Sequence, residues 1–284
     1  MNGKVCLVTG ATSGIGRATA EALARLGATV VIVARDESRA ETTLDDIRRA
    51  NPRASPDVLM ADLSSQRSVR ELARSFKAEH DRLHVLVNCA GGFFRTPATT
   101  AEGVELTFAL NHLAYFLLTT QLTDVLVASA PARVVNVASG AHAMGAIRFD
   151  DLRESPHYRA RAAYARSKLA NILFTYQLAR RLQGTGVTSA CVHPGVVRTN
   201  FGREGEPVLS RTFRTLVTPF MRTPEKGAET VVYLASSPQV EGVTGVYFRD
   251  MKPARSSRRS HDRALAEQLW SVSEALTSSG EPRE

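Results

Sequence analysis

Six short apolar runs constrain what this chain can fold into: KVCLVT (4–9), TVVIVA (29–34), DVLMA (57–61), HVLVN (84–88), RVVNVA (133–138) and VTSACV (187–192). A strand with one wet face alternates apolar and polar residues. These runs do not, so both of their faces need cover. Between them lie amphipathic helical patterns at about 15–26, 37–50, 65–79, 102–128, 160–183 and 224–236. Buried strands alternating with helices predict a Rossmann-type, doubly wound α/β fold, with a parallel sheet of about seven strands and helices on both faces. VTGVYF (243–248) is the candidate last strand. HDRALAEQLWSVSEALTS (261–278) reads as a closing helix packed through Leu265, Leu269, Trp270 and Leu276. With 284 residues, no internal repeat and no linker, the chain is expected to be one domain spanning 1–284.

Composition excludes several function classes. No uninterrupted apolar stretch approaches the roughly 18 residues that a membrane span needs. The opening MNGKVCLVTG lacks a basic segment followed by a long apolar run, so a cytoplasmic protein with no transmembrane anchor is expected. Cys6, Cys89 and Cys191 are odd in number and far apart, and the seven histidines lack ligand spacing, so neither disulfides nor a metal site is expected. The net charge of +8 is concentrated near the C-terminus, in Arg249, Lys252, Arg255, Arg258, Arg259 and Arg263 against Asp250 and Asp262. Without interleaved aromatics it reads as a solvated basic segment and not as a nucleic-acid interface.

Two regions break the rhythm. Residues 140–160 form a long connection containing FDDL. Residues 200–223 mix Phe201, Leu209, Phe213, Leu216, Phe220 and Met221 with charges and prolines, and are expected to be a substrate lid.

The first strand runs into TGATSGIGRATAEALARLG, which places Gly10, Gly14 and Gly16 between a strand and an amphipathic helix. Glycine permits the tight turn and lets a pyrophosphate approach the backbone, where free N-terminal amides favour anions. The spacing is neither G-x-G-x-x-G nor a P-loop. The second strand ends Ala34-Arg35-Asp36. An acid there would hold the adenosine 2′-OH of NAD, and an arginine would accept the 2′-phosphate of NADP. Uncharged Ala34 at the strand end, Arg35 beside it and Arg17 as a second cation favour NADP(H); Asp36 keeps NAD(H) open.

In AAYARSKLANILF (162–174), Tyr164 and Lys168 are four residues apart on one predicted helix, and so share a face. Alone, such a pair reads as an exposed tyrosine and a solvated lysine. TGATSGIG, ADLSS with Asp62, LVNCAGG with Asn88, LNHLAYFLLT with Asn111, VVNVASG with Ser139, YARSK and HPGVVRT nevertheless follow one another in order. Together they resemble the short-chain dehydrogenase/reductase family over essentially the whole chain.

The resemblance implies a carbonyl–alcohol oxidoreductase. Tyr164 would be the general acid/base, with Ser139 orienting the substrate oxygen. Lys168 would lower the tyrosine pKa and bind the nicotinamide ribose, and Asn111 would hold a relay water. It also implies a cofactor cradle: Gly10, Thr12, Ser13, Gly14, Ile15 and Gly16 at the first turn, Arg35, then Asp62 (adenine) and Leu63. Asn88, Ala90 and Gly91 follow the fourth strand; Pro194, Gly195, Val197 and Thr199 (carboxamide) complete the set. Departures from the pattern are Cys89 where a second asparagine is common, and Ala138 beside Ser139.

NHLAYFLLT, FDDL, YARSKLAN and VYFRDMKP…AEQLWSVSEAL are similar to retinol-dehydrogenase-like members. Membrane-bound members carry an N-terminal hydrophobic anchor; this chain starts at its first strand, which points to a soluble relative. Phe93, Phe94 and the apolar residues of 201–221 fit either a lipophilic substrate or packing of the lid. The alternative to an enzyme, a dinucleotide-binding regulatory or scaffold protein, predicts a damaged tetrad, yet Asn111, Ser139, Tyr164 and Lys168 are all present. A hydrolase would need a G-x-S-x-G elbow, and none occurs. Helices 102–128 and 160–183 are the expected faces of a homodimer or tetramer, although an apolar stripe fits a core equally well.

Overall fold

Alternate side chains of each central strand enter opposite cores, which is why the apolar runs are continuous. Leu7, Val31 and Val33 pack on one face of the sheet with Phe76, Tyr115, Phe116 and Phe174. Cys6, Val8, Val30 and Ile32 pack on the other with Leu23, Ile47, Val231 and Phe248. The structure is a computed structural model and describes residues 1–153, 158–197 and 221–278.

The strands are β1 (Val5–Thr9), β2 (Thr29–Ala34), β3 (Asp57–Met60), β4 (Val85–Asn88), β5 (Ala132–Val137), β6 (Val187–His193), β7 (Val246–Arg249) and β8 (Lys252–Pro253). Their order is β3-β2-β1-β4-β5-β6-β7-β8, parallel except for β8, which runs antiparallel to β7. The sheet therefore has eight strands where about seven were expected. The extra one is a two-residue hairpin return lying inside the basic segment. Asp250 and Met251 turn that hairpin with φ of 53° and 59°. The segment is thus built into the fold: Ser256 and Ser260 are buried, and Arg259 donates to the Gly145 carbonyl at 2.9 Å.

The helices α1 (Gly14–Arg25), α2 (Glu37–Ala50) and α3 (Gln66–Glu79) follow their patterns closely. The expected single helix over 102–128 is instead α4 (Leu106–Phe108), a π turn (Ala109–Leu113), α5 (Ala114–Gln121) and α6 (Thr123–Ala128). It starts late because the Glu105 carboxylate accepts the Thr107 and Phe108 amides and so caps it. Next come α7 (Ala160–Arg181), α8 (Pro224–Ser236) and α9 (Arg263–Ser278).

Trp270 of α9 meets Phe116 edge-on at 5.0 Å and stacks on Phe174 at 5.8 Å, which clamps α9 onto α5 and α7. Beside this cluster His112 is fully buried, with Nε2 3.0 Å from Ser273 Oγ and Nδ1 3.3 Å from Asn171 Oδ1. Among the described residues no helix is long and apolar enough to cross a membrane.

Burial lowers the His112 pKa from 6.5 to about 4, so the folded protein keeps the ring neutral where the unfolded chain would protonate it. That contribution to stability is complete above pH 6.5 and is lost as pH falls toward 4, roughly 3 kcal/mol in all at 1.36 kcal/mol per unit. Urea unfolding at intervals from pH 7.5 to 4 should show a shallower acid slope in His112→Gln than in the unsubstituted protein. Parallel slopes would remove His112 from the acid lability.

Candidate active site

A crevice of about 1700 Å³ opens where β1 and β4 part at the carboxyl edge of the sheet. Thr9 Oγ1 accepts the amides of Cys89 and Ala90, tying the two strand ends together at its base. Gly10 (φ +65°) is required there twice over, since a Cβ on it would lie 2.7 Å from Ala90 Cα. A Cβ on Gly16 would lie 2.3 Å from the Gly10 carbonyl oxygen, so this glycine lets α1 approach the strand. Gly10, Thr12, Ser13, Gly14, Ile15 and Gly16 line the crevice.

Asp36, Ser65 and Thr223 cap α2, α3 and α8 through their side chains, but Ser13 does not cap α1, whose first turn holds no acid. The free amides of α1 therefore face the crevice, an arrangement that suits an anion.

At the end of β2, Arg35 and Asp36 line the crevice together with Arg39, which the sequence reading did not single out. One turn into α2, Arg39 points back with Nη2 3.5 Å from the Thr12 carbonyl. Arg17, expected as the second cation, is committed to ion pairs with Glu21 and Asp46 and does not line the crevice. Asp36 accepts the Arg39 amide at 2.9 Å, so its carboxylate serves as a helix cap. Asp62 and Leu63 line the far wall, with the Asp62 carboxylate held by the Ser64 amide and hydroxyl.

Tyr164 and Lys168 both face the crevice from α7, and Ser139 meets them from the end of β5. The Ser139 hydroxyl is close enough to the Tyr164 phenol to favour its ionised form. Lys168 is 4% exposed; its Nζ donates to the Val137 carbonyl at 3.0 Å and lies 5.7 Å from the ring centres of Tyr164 and Tyr115. Burial lowers its pKa from 10.5 to about 8. Burial also pushes the Tyr164 phenol above 10. Ser139 pulls the phenol downward, while desolvation disfavours the Lys168 ammonium that shares its face of α7.

Two expected site residues lie behind the wall. Asn88 is fully buried, donating to Thr119 Oγ1 and Asn136 Oδ1, so its side chain braces β4 against α5 and β5. Asn111, in the π turn, uses its side chain on the Gly92 amide and carbonyl and on Ser167 Oγ. Ser167 in turn donates to the Tyr164 carbonyl, so Asn111 ties the 89–92 loop to the tyrosine's own helix.

Arg166 of α7 pairs with Glu105 at 3.2 Å and approaches Asp151 of the FDDL turn at 3.9 Å. Sequence reading missed Glu105 because a carboxylate gives no local sign of a partner 61 residues away. Ala90, Gly91, Pro194, Gly195 and Val197 line the crevice, as does His193, whose Nδ1 accepts the Gly140 amide. Thr199 and most of the expected lid lie outside the described residues; of that region Met221 reaches the crevice.

The uncapped α1 start, the two arginines at the end of β2 and the glycine at the strand turn fit a phosphate-bearing dinucleotide. The family profile described as short chain dehydrogenase matches residues 4–207. Mouse retinol dehydrogenase 14 is 46% identical over 97% of this chain and 86% of its own. A crystal structure of an uncharacterised protein from Mycobacterium paratuberculosis superposes with a TM-score of 0.78 at 32% identity, covering 98% of this chain and 94% of that one. A Pseudomonas aeruginosa RhlG/NADP active-site complex gives 0.71 at 28% identity, covering 87% and 94%. The chain belongs to the short-chain dehydrogenase family, as a retinol-dehydrogenase-like member, and is an oxidoreductase acting on CH–OH groups.

Glu105 and Arg166 are both almost wholly buried, so removing one charge strands the other. Glu105→Gln should cost about 3–5 kcal/mol in urea unfolding. Glu105→Gln combined with Arg166→Met should cost clearly less than the two single substitutions added together. Strict additivity would show that the pair is not coupled.

Proposed function

We propose that this member of the family catalyses the NADP(H)-dependent interconversion of a carbonyl and an alcohol on a lipophilic small molecule. The observation carrying this reading is the convergence of Ser139, Tyr164 and buried Lys168 in the same crevice as the open start of α1. When bound, a nicotinamide dinucleotide supplies or accepts the hydride.

The chain's residues do the rest. The Gly14–Gly16 amides hold the pyrophosphate, and Asp62 and Leu63 bound the adenine. Tyr164, kept protonated by burial, gives its proton to the carbonyl oxygen, and the Ser139 hydroxyl holds that oxygen in place. Lys168 binds the ribose. In the oxidation direction its positive charge offsets the phenolate, which lies further from neutrality here than in water. Asn111 contributes as a brace through Gly92 and Ser167, and the Thr199 role rests on the family resemblance.

Arg35 and Arg39 on either side of Asp36 support NADP(H), because Asp36 is engaged as a cap and both arginines line the crevice beside the end of β2, where a 2′-phosphate would be read. The NADP in the RhlG complex is consistent with this choice. Phe93, Phe94, Met144 and Val196 around the crevice support an apolar substrate, as the name of the mouse relative does for that protein. Met144 and Val196 are 75% and 65% exposed, which is unusual for large apolar side chains and leaves them free to meet a ligand.

Tyr164→Phe should abolish NADPH-linked reduction of a medium-chain aldehyde and leave NADPH binding, followed by cofactor fluorescence, nearly intact; retained turnover would refute the proton-donor role. Arg35→Ala and Arg39→Ala should each weaken NADPH by roughly tenfold or more, about 1.5–3 kcal/mol for a charge-assisted hydrogen bond, with little change for NADH. Equal losses for the two cofactors would remove the phosphate clamp.

A further inference from the structure

A second depression, of about 430 Å³, adjoins the crevice and shares Phe93 and Arg95 with it. Its remaining walls are Arg159, Ala160, Arg161 and Ala162 at the start of α7. Three arginines from two distant segments therefore surround one small hollow. The convergence is built: the Tyr158 hydroxyl donates to the Phe94 carbonyl at 2.7 Å and meets Thr107 Oγ1 at 3.1 Å. That bond fastens the backbone beside Arg95 to the backbone beside Arg159.

Among the described residues no ion pair involves Arg95, Arg159 or Arg161, whereas Arg17, Arg48, Arg67 and Arg222 each have a carboxylate. Arg95 instead lies 5.8 Å over the Phe93 ring, and Phe93 meets Tyr164 edge-on at 5.8 Å. Arg161 is three residues before Tyr164, about 4.5 Å back along the helix axis. Cations, an apolar ring and the proton donor are thus in sequence along one path.

We infer that the carbonyl substrate carries a carboxylate at its far end, held by Arg95, Arg159 and Arg161, with its apolar body across Phe93. This rests on the reductase reading above and narrows its substrate class. The planar guanidinium fork matches a carboxylate in two parallel hydrogen bonds. A concave hollow of this size suits one small molecule better than the flat headgroup layer of a membrane.

The test compares 10-oxodecanoate, its methyl ester and decanal as substrates with NADPH, in the full chain and in the double variant Arg159→Gln, Arg161→Gln. The acid should exceed the ester in kcat/KM by about tenfold or more, and the double variant should erase that ratio. Calorimetric titration with decanoate should likewise show binding that the variant loses. An acid-to-ester ratio near one, with decanal and the ester turned over, overturns the inference and leaves the reductase reading standing. No turnover of any of the three counts against the reductase reading, and decanoate binding then decides the anion site alone. Arginine-dependent sedimentation with phosphatidylserine vesicles, without any acid preference, would reassign the patch to a membrane surface and also overturns it.

Discussion

Everything at the active edge is arranged around one buried ammonium group. Lys168 is almost completely covered, and its hydrogen bond to the Val137 carbonyl fixes α7 against the end of β5. That contact places Tyr164, one turn earlier on the helix, against Ser139 at the mouth of the same strand. A cation in so dry a place is costly, and the lowered lysine pKa is the sign of that cost. The surroundings repeat the theme in the opposite sense: Cys89, beside the lysine, is pushed up to about 12 and stays a thiol. Tyr164, Lys168 and Cys89 thus all favour their protonated forms at neutral pH, which is the condition for a donor.

The basic charge of the chain divides into two populations. One is structural: Arg17 spans α1 and α2, Arg166 answers Glu105, Arg222 answers Asp250, and Arg259 ties the segment after β8 to the Gly145 turn. The other points toward the crevice or its annex, in Arg35 and Arg39 at one end and Arg95, Arg159 and Arg161 at the other. Net charge alone could not separate the two, because the distinction lies in what each guanidinium faces in the fold.

Much of the fold was legible from period and residue type. The run at 29–34 and the helix at 37–50 have in the structure the limits read from the sequence, because both are bounded by abrupt changes in polarity. The eighth strand was not legible: two residues carry no periodicity, and their pairing is set by a hairpin with left-handed turn residues. The helix over 102–128 was misjudged at its start and continuity, since neither the Glu105 cap nor a π turn leaves a pattern in the apolar spacing. In the site, the motif order brought Ser139, Tyr164 and Lys168 to one place. It also marked Asn88, but could not show that its amide is spent on Thr119 and Asn136. Arg39 was invisible because its relevance depends on α2 turning it back over Thr12.

The π turn at Ala109–Leu113 puts one more residue into a rod that would otherwise repeat every 3.6. One residue corresponds to about 100° of rotation, so the parts before and after it look in different directions. Upstream, Thr107 and Phe108 answer to the Glu105 cap; downstream, Tyr115 reaches the Ala90 carbonyl and Phe116 joins Trp270. The rod behaves as a mechanical phase shifter, letting a single stretch of chain satisfy two neighbours whose positions are incommensurate with a regular spiral.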